Sequence, residues 1–322
     1  MPVSTRKHYL IQTMNRSHFA FTRHAPRAQG FSLVEMAMVL LVVGLLAALF
    51  LPATNTMMDN NRRKETRTKL EALESAITRF VMTTGRLPCP ADGSLAPGNA
   101  NYGRELRTAA TGVCTAITTG VVPWLTLGVA HANALDGWNS VITYRVRGDM
   151  VSSITSLGLT LDAALDMTAC DMAGTGATAS QSLGGTPHNR LGCDPACVAS
   201  TPSSCTPPSN WLAGRGLRVD ENAAGGILMN PAAPALTGAA YLLISHGSNK
   251  AGGYNSNGTL QPANGPGPGA LELLNSNNTA LRVAPDFYVD AELTEDPANY
   301  YDDIVLRPTV MKVVLDAGLG PR

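Results

Sequence analysis

Apolar residues are unevenly spread along this chain. Residues 31–51, FSLVEMAMVLLVVGLLAALFL, form an apolar run with one ionisable residue, Glu35. As a helix rising about 1.5 Å per residue, the run spans roughly 31 Å, enough to cross the hydrocarbon core of a bilayer. Beyond Pro52 the pattern changes. Leu70, Leu73, Ile77, Phe80 and Val81 recur at helical spacing, while Arg67, Lys69, Glu71, Glu74 and Arg79 occupy other positions. One apolar face among polar ones predicts an amphipathic helix. Gly85, followed by Pro88, supplies its stop. Together the two stretches predict one helical unit over 31–84, about 80 Å long and bent at Pro52.

After this unit the pattern shifts toward short strands. Val141–Val146 (VITYRV), Ala240–Ser245 (AYLLIS) and Ile304–Leu306 are rich in apolar and β-branched residues and predict strands. Pro308–Ala317 predicts a short terminal helix closed by Gly318. Residues 170–210 and 251–269 are rich in Gly, Pro, Ser, Asn or Cys and predict loops. The fold class is therefore α+β: a long N-terminal helix, transmembrane over 31–51 and amphipathic beyond, packed on an antiparallel-sheet head with loop-rich insertions. The expected organisation is a basic leader over 1–30, the helix over 31–84 and a globular head over 85–322.

Charge adds a second asymmetry. The chain carries 24 basic and 24 acidic residues, which argues against a polyanion-binding surface, so no nucleic-acid partner is expected. Residues 1–30 hold Arg6, Lys7, Arg16, Arg23 and Arg27 and no acid, which leaves 31–322 at a net charge of −5. A basic segment leading directly into an apolar one is a targeting pattern. Glu35 is the anomaly within it. A carboxylate inside a membrane helix costs roughly 2.5–3.5 kcal/mol and needs a partner or a function. Glu35 lies four residues after Phe31, on the same helix face. A cut between Gly30 and Phe31 would create an α-amino group able to pair with Glu35 of the same chain or a neighbour.

Gly30-Phe31-Ser32-Leu33-Val34-Glu35-Met36, followed by the apolar run, closely resembles the processing site of type IV prepilins and type II secretion pseudopilins. Pro52 stands where many of these proteins have a helix-bending proline. The resemblance implies cleavage after Gly30 by prepilin peptidase, N-methylation of Phe31, and a role for Glu35 in filament assembly. It implies a single-pass protein of the inner membrane, with a cytoplasmic leader and a periplasmic head, later joining a pilus or pseudopilus. The implied partners are other pilin or pseudopilin subunits, the inner-membrane assembly platform and the lipid bilayer. The leader is long for this group, and Met14 offers a second start that would shorten it.

All six cysteines, Cys89, Cys114, Cys170, Cys193, Cys197 and Cys205, follow the apolar run. An even number in an exported region predicts disulfides. Proximity favours Cys89–Cys114 and leaves the other four within one Gly/Pro-rich insertion. The Cys193-x3-Cys197 spacing and an oxidising compartment both disfavour zinc. A basic cluster, Arg62, Arg63, Lys64, Arg67 and Lys69, reads as a solvated helix face or as a contact for acidic residues or lipid headgroups during assembly.

Two stretches of the head add to the resemblance. Asp136-Gly137-Trp138, ahead of a Tyr-containing strand, resembles the turn-and-strand of major pseudopilin heads. Ser245–Gly253, with Asp302-Asp303-Ile304, resembles the pseudopilin loop pair that holds calcium. That resemblance implies Asn249, Asp302 and Asp303 as calcium ligands. Acids crowd this part of the chain, with Asp286, Asp290, Glu292, Glu295 and Asp296 preceding Asp302, and no Lys or Arg stands between Val283 and Leu306. Calcium takes oxygens from carboxylates, amides and backbone carbonyls. A solvated acidic loop, or acids capping the last elements, is the competing reading.

No catalytic pattern stands out. The leader takes His8, His18 and His24, leaving His131, His188 and His246 for the head. Ser245 and His246 are strand neighbours whose side chains point to opposite faces. The chain has no Gly-x-Ser-x-Gly elbow, no phosphate-binding loop with Lys and no His-Glu-x-x-His. The sequence predicts a structural subunit, a minor pilin or pseudopilin, rather than an enzyme. A pilus-tip adhesin and a membrane-anchored secreted enzyme are the alternatives.

Overall fold

The protein is described here by a computed structural model. It describes residues 30–108, 114–115, 120–147, 159–161, 163–168, 170, 208–222, 226–262, 270–278, 287–296 and 300–321, and no side chains at 48–55, 210 and 270. The chain divides into two compact units at Ala53–Thr54. The expected leader over 1–30, apart from Gly30, lies outside the described residues.

Helix α1 runs over Leu33–Thr84. In the first unit its described residues, through Ala47, are exposed, among them Leu33, Leu40, Leu41 and Leu45. Among the described residues no helix is long and apolar enough to cross a membrane. The expected span over 31–51 runs past Ala47, and both its end and Pro52 belong to the stretch without described side chains.

In the second unit the amphipathic pattern becomes packing. Leu70, Leu73, Ile77 and Val81 are buried, while Arg67, Glu71 and Arg79 face solvent. Phe80 is only half-buried and lies under the Arg86 guanidinium, 4.9 Å from its ring centre. Gly85 ends the helix at φ +66°, with its N–H on the Val81 carbonyl, a left-handed cap that glycine adopts without a Cβ clash.

Among the described residues ten short strands form three sheets. The largest has the order β1-β2-β4-β7-β10, from Ala91–Asp92, Gly120–Val121, Thr143–Val146, Tyr241–Ser245 and Ile304–Leu306, and is antiparallel throughout. A second pairs β3 (Ser140–Val141) with β8 (Tyr254–Asn255). The third has the order β6-β5-β9, from Ile227–Met229, Arg218–Asp220 and Phe287–Val289. Its β5–β9 pair is parallel, so the head is not purely antiparallel. Among the described residues three further α-helices follow, all short: α2 (Pro208–Leu212), α3 (Ala270–Asn275) and α4 (Val310–Asp316).

The central strand explains its own composition. Tyr241 and Leu243 join the α1 stripe, Ile142, Tyr144, Val310, Val313 and Val314 in one core. The alternate residues Leu242 and Ile244 join Val219, Met229 and Tyr288 in another. A strand covered on both faces needs apolar residues at successive positions, as Ala240–Ile244 provides.

The expected strand over 141–146 is broken at Ile142, which bonds to Val122 and Ala134 as the chain passes from β3 to β4. The terminal helix begins at Val310, capped by Thr309, whose hydroxyl accepts the Lys312 N–H, and Gly318 follows it at φ +70°. The expected loop over 251–269 contains β8, and the one over 170–210 ends in α2. Residues 171–207 and 263–269 lie outside the described residues.

Candidate functional site

The N-terminal residues come first. Gly30, Phe31 and Ser32 precede α1 in non-helical backbone, and Phe31 is 74% exposed. Glu35 sits in the first helical turn, and its N–H is bonded to the Ser32 hydroxyl at 3.2 Å. The Glu35 side chain is exposed.

The second candidate is a buried acidic centre in the head. Asp302 and Asp303 lead into β10, and α3 brings Glu272 to them. All three are buried, and one carboxylate oxygen from each lies within 4.8 Å of the others. Glu272 Oε1 accepts the Asp302 N–H at 2.8 Å, and its Oε2 accepts from Asn249 Nδ2 at 2.7 Å. Asp302 Oδ2 accepts from the Ser248 N–H and hydroxyl, both at 2.6 Å, and from the Tyr300 hydroxyl at 3.1 Å. Asp303 Oδ2 accepts from Asn275 Nδ2 at 2.8 Å.

Two oxygens are left over. Asp302 Oδ1 and Asp303 Oδ1 are buried without a hydrogen bond. His246 Nδ1 lies 3.7 Å from Asp303 Oδ1. Burial, reinforced by the negative charge of Asp303, pushes the Glu272 carboxyl up to about 9. Burial also raises Asp303, against the opposing influence of His246.

Such a centre suits a hard cation. Calcium–oxygen distances of about 2.3–2.6 Å place opposite ligands roughly 5 Å apart, which accommodates the 4.8 Å limit. The three acids offer only oxygen donors, and two of their buried oxygens, Asp302 Oδ1 and Asp303 Oδ1, have no hydrogen bond. The residues present therefore fit a calcium ion, with Glu272, Asp302 and Asp303 as the carboxylates that would hold it.

Of the three expected ligands, the structure brings Asp302 and Asp303 together. Asn249 arrives at the same centre in a different role. Its Oδ1 accepts the Ala251 N–H at 2.9 Å, and its amide nitrogen holds Glu272. Glu272 is the acid that sequence reasoning missed. Its signal is the one that singles out Glu35, an acid alone in an apolar stretch, here Ala270-Leu271-Glu272-Leu273-Leu274.

The neighbouring polar residues are tied into the scaffold. Ser245 Oγ donates to Asp136 Oδ2 at 2.7 Å, while His246 Nε2 meets Thr143 Oγ1 at 2.9 Å. Asp136 Oδ1 accepts the N–H groups of Trp138 and Ser140, which closes the Asp136-Gly137-Trp138 turn. Burial raises the Asp136 carboxyl, with the hydrogen bond from Ser245 opposing it. His131 meets the Tyr102 hydroxyl at 3.1 Å, and His188 lies outside the described residues.

Among the cysteines, Cys89 and Cys114 are bonded to each other. Cys170 is also in a disulfide. Cys193, Cys197 and Cys205 lie outside the described residues, as does Asp286. In the basic cluster, Lys69 pairs with Glu65 and Arg62 with Asp59, Arg63 lies over the Trp138 ring, and Lys64 and Arg67 are exposed. Comparison with protein-family models, curated proteins and solved structures finds no match to this chain.

Proposed function

We propose that this chain is a pilin-like structural subunit, a minor pilin or pseudopilin. In this reading prepilin peptidase cuts it after Gly30, Phe31 is N-methylated, and the mature chain joins a type IV pilus or a type II secretion pseudopilus. The observation that carries the reading is the start of α1. The motif Gly30-Phe31-Ser32-Leu33-Val34-Glu35 stands at the boundary between exposed non-helical backbone and a helix. That helix exposes apolar residues over its first turns and contributes an apolar stripe to the head core further on.

An exposed apolar helix surface calls for lipid, a neighbouring helix, or each in turn. In lipid, Glu35 needs a cation, and the ammonium freed at Phe31 of a neighbour supplies one. The pair then sets the axial stagger between subunits. A bulky head crowds a helical lattice, which favours a minor or tip position over the main shaft.

In the same reading the head has a site for a divalent cation, which Glu272, Asp302 and Asp303 would hold. Its contribution would be structural: a bound cation would offset three buried carboxylates and tie α3 to the segment that leads into β10.

The mature N-terminus, read by mass spectrometry from membranes of cells expressing the full chain, tests the reading. A chain beginning at N-methylated Phe31 supports it. A chain retaining residues 1–30, or trimmed elsewhere, overturns it.

A further inference from the structure

Ser32 and Glu35 are joined in a way that the assembly role of Glu35 does not require. Ser32 stands immediately before α1, and its Oγ accepts the Glu35 N–H at 3.2 Å. Its own carbonyl accepts the first bond of the helix, from the Met36 N–H at 3.1 Å. Ser32 is therefore the N-cap and Glu35 the third helical residue, the Ser-x-x-Glu spacing of a capping box.

The position of this cap decides what happens to the bond ahead of it. A helix begun two residues earlier would place the Val34 N–H on the Gly30 carbonyl, through the ordinary four-residue bond. That carbonyl is the one a peptidase must attack. With the cap at Ser32, the Gly30 and Phe31 carbonyls lie outside the helical ladder, in exposed non-helical backbone. Proteases cut exposed backbone that is free to extend, and a carbonyl already bonded within a helix is a poor target.

We propose that Ser32 is a positioning residue for processing: it fixes where α1 begins and so presents the Gly30–Phe31 bond in cleavable form. The inference rests on the cleavage proposed above. In that step water adds across the Gly30–Phe31 amide. The carbon–nitrogen bond breaks, Gly30 leaves as the carboxylate, and the Phe31 nitrogen takes up a proton as the new ammonium. The same turn serves the product. A positive group one residue ahead of a helix N-terminus opposes the helix dipole, and Glu35, in the first turn, offsets it.

The test uses the full-length precursor in detergent micelles, incubated with purified prepilin peptidase and followed by mass spectrometry. Ser32→Ala removes the side chain that favours a start at Ser32 over an earlier one and is expected to slow cleavage after Gly30 about fivefold, and Ser32→Thr to stay within about twofold of wild type. Carbon chemical shifts of Gly30 and Phe31 in the same precursor read the helix start separately. They move toward helical values in Ser32→Ala and stay put in Ser32→Thr. Wild-type and Ser32→Ala precursors cut at equal rates would overturn the role of Ser32 and leave the functional reading standing. Equal slowing of both variants with unchanged shifts would also overturn it, because the peptidase would then be reading the Ser32 side chain itself. A wild-type precursor not cut after Gly30 would bring down both.

Discussion

Thr66 on α1 accepts the backbone N–H of Gly137 at 2.9 Å and donates its own hydroxyl to the Arg62 carbonyl at 2.8 Å. A turn of the head is thus fastened to the side of the helix through one threonine. The turn fits because it has no side chain at its apex: a Cβ on Gly137 would lie 2.5 Å from the Arg62 carbonyl oxygen. Gly137→Ala is expected to destabilise the head by about 1–3 kcal/mol through overpacking against backbone. Thr66→Val, which leaves the Gly137 N–H without its acceptor, is expected to cost a similar ~1–3 kcal/mol, with Thr66→Ser much milder. Urea melts of the full chain in micelles measure all three.

Glu35 has two separable properties, a charge and a side chain of fixed size in the first helical turn. Glutamine keeps the size and discards the charge. If the carboxylate pairs with a neighbour's ammonium, Glu35→Gln and Glu35→Ala both block incorporation into filaments, while cleavage after Gly30 stays largely intact. Shearing filaments from cells and quantifying the chain by immunoblot checks this. Normal assembly of Glu35→Gln would show that the charge is dispensable.

The acidic centre makes the head sensitive to pH and to cations together. The folded-state carboxyl of Glu272, at about 9, lies above its ordinary 4.5. The folded state therefore holds a proton that the unfolded chain has released, and Glu272 costs stability as pH rises from near 4.5 through 9. In chelator the melting temperature is expected to fall over this window, and Glu272→Gln to flatten that part of the slope. Millimolar calcium is expected to raise the melting temperature most at the alkaline end, where the carboxylates are ionised. Calorimetry with chelator and with calcium, across pH, reads both effects. Identical melts would count against a bound cation.

The Cys89–Cys114 bond closes a loop of 25 residues. Chain-entropy arguments assign a loop of that size about 3–4 kcal/mol. Replacing both cysteines with alanine is expected to lower stability by an amount of that order. The Glu105 carboxylate, which accepts both the Cys89 N–H and a bidentate Arg86, keeps the local backbone in place. A double variant as stable as the parent would show that this corner holds without the disulfide.

How much of this was legible in the sequence depended on the range over which each signal acts. The stripe Leu70, Leu73, Ile77 and Val81 is local and periodic, and all four residues are buried. β7 was legible because an uninterrupted apolar run suits a strand with two covered faces. The three-residue strands β5 and β9 were not, because neither has a period of its own and each depends on a partner far along the chain. Phe80 fits the stripe by spacing, yet it is only half-buried beneath Arg86, a contact that no periodicity records. At the acidic centre, Asp302 and Asp303 were visible as neighbours. Glu272 reaches them across 30 residues, through its bond to the Asp302 N–H, and only the folded chain makes that juxtaposition.

β7 also bears on how the head withstands damage. With Tyr241 and Leu243 packed toward α1, and Leu242 and Ile244 packed toward the three-stranded sheet, one strand is the common wall of two rooms. Among the described residues β7 lines both cores, so damage to this one strand is expected to be felt in both.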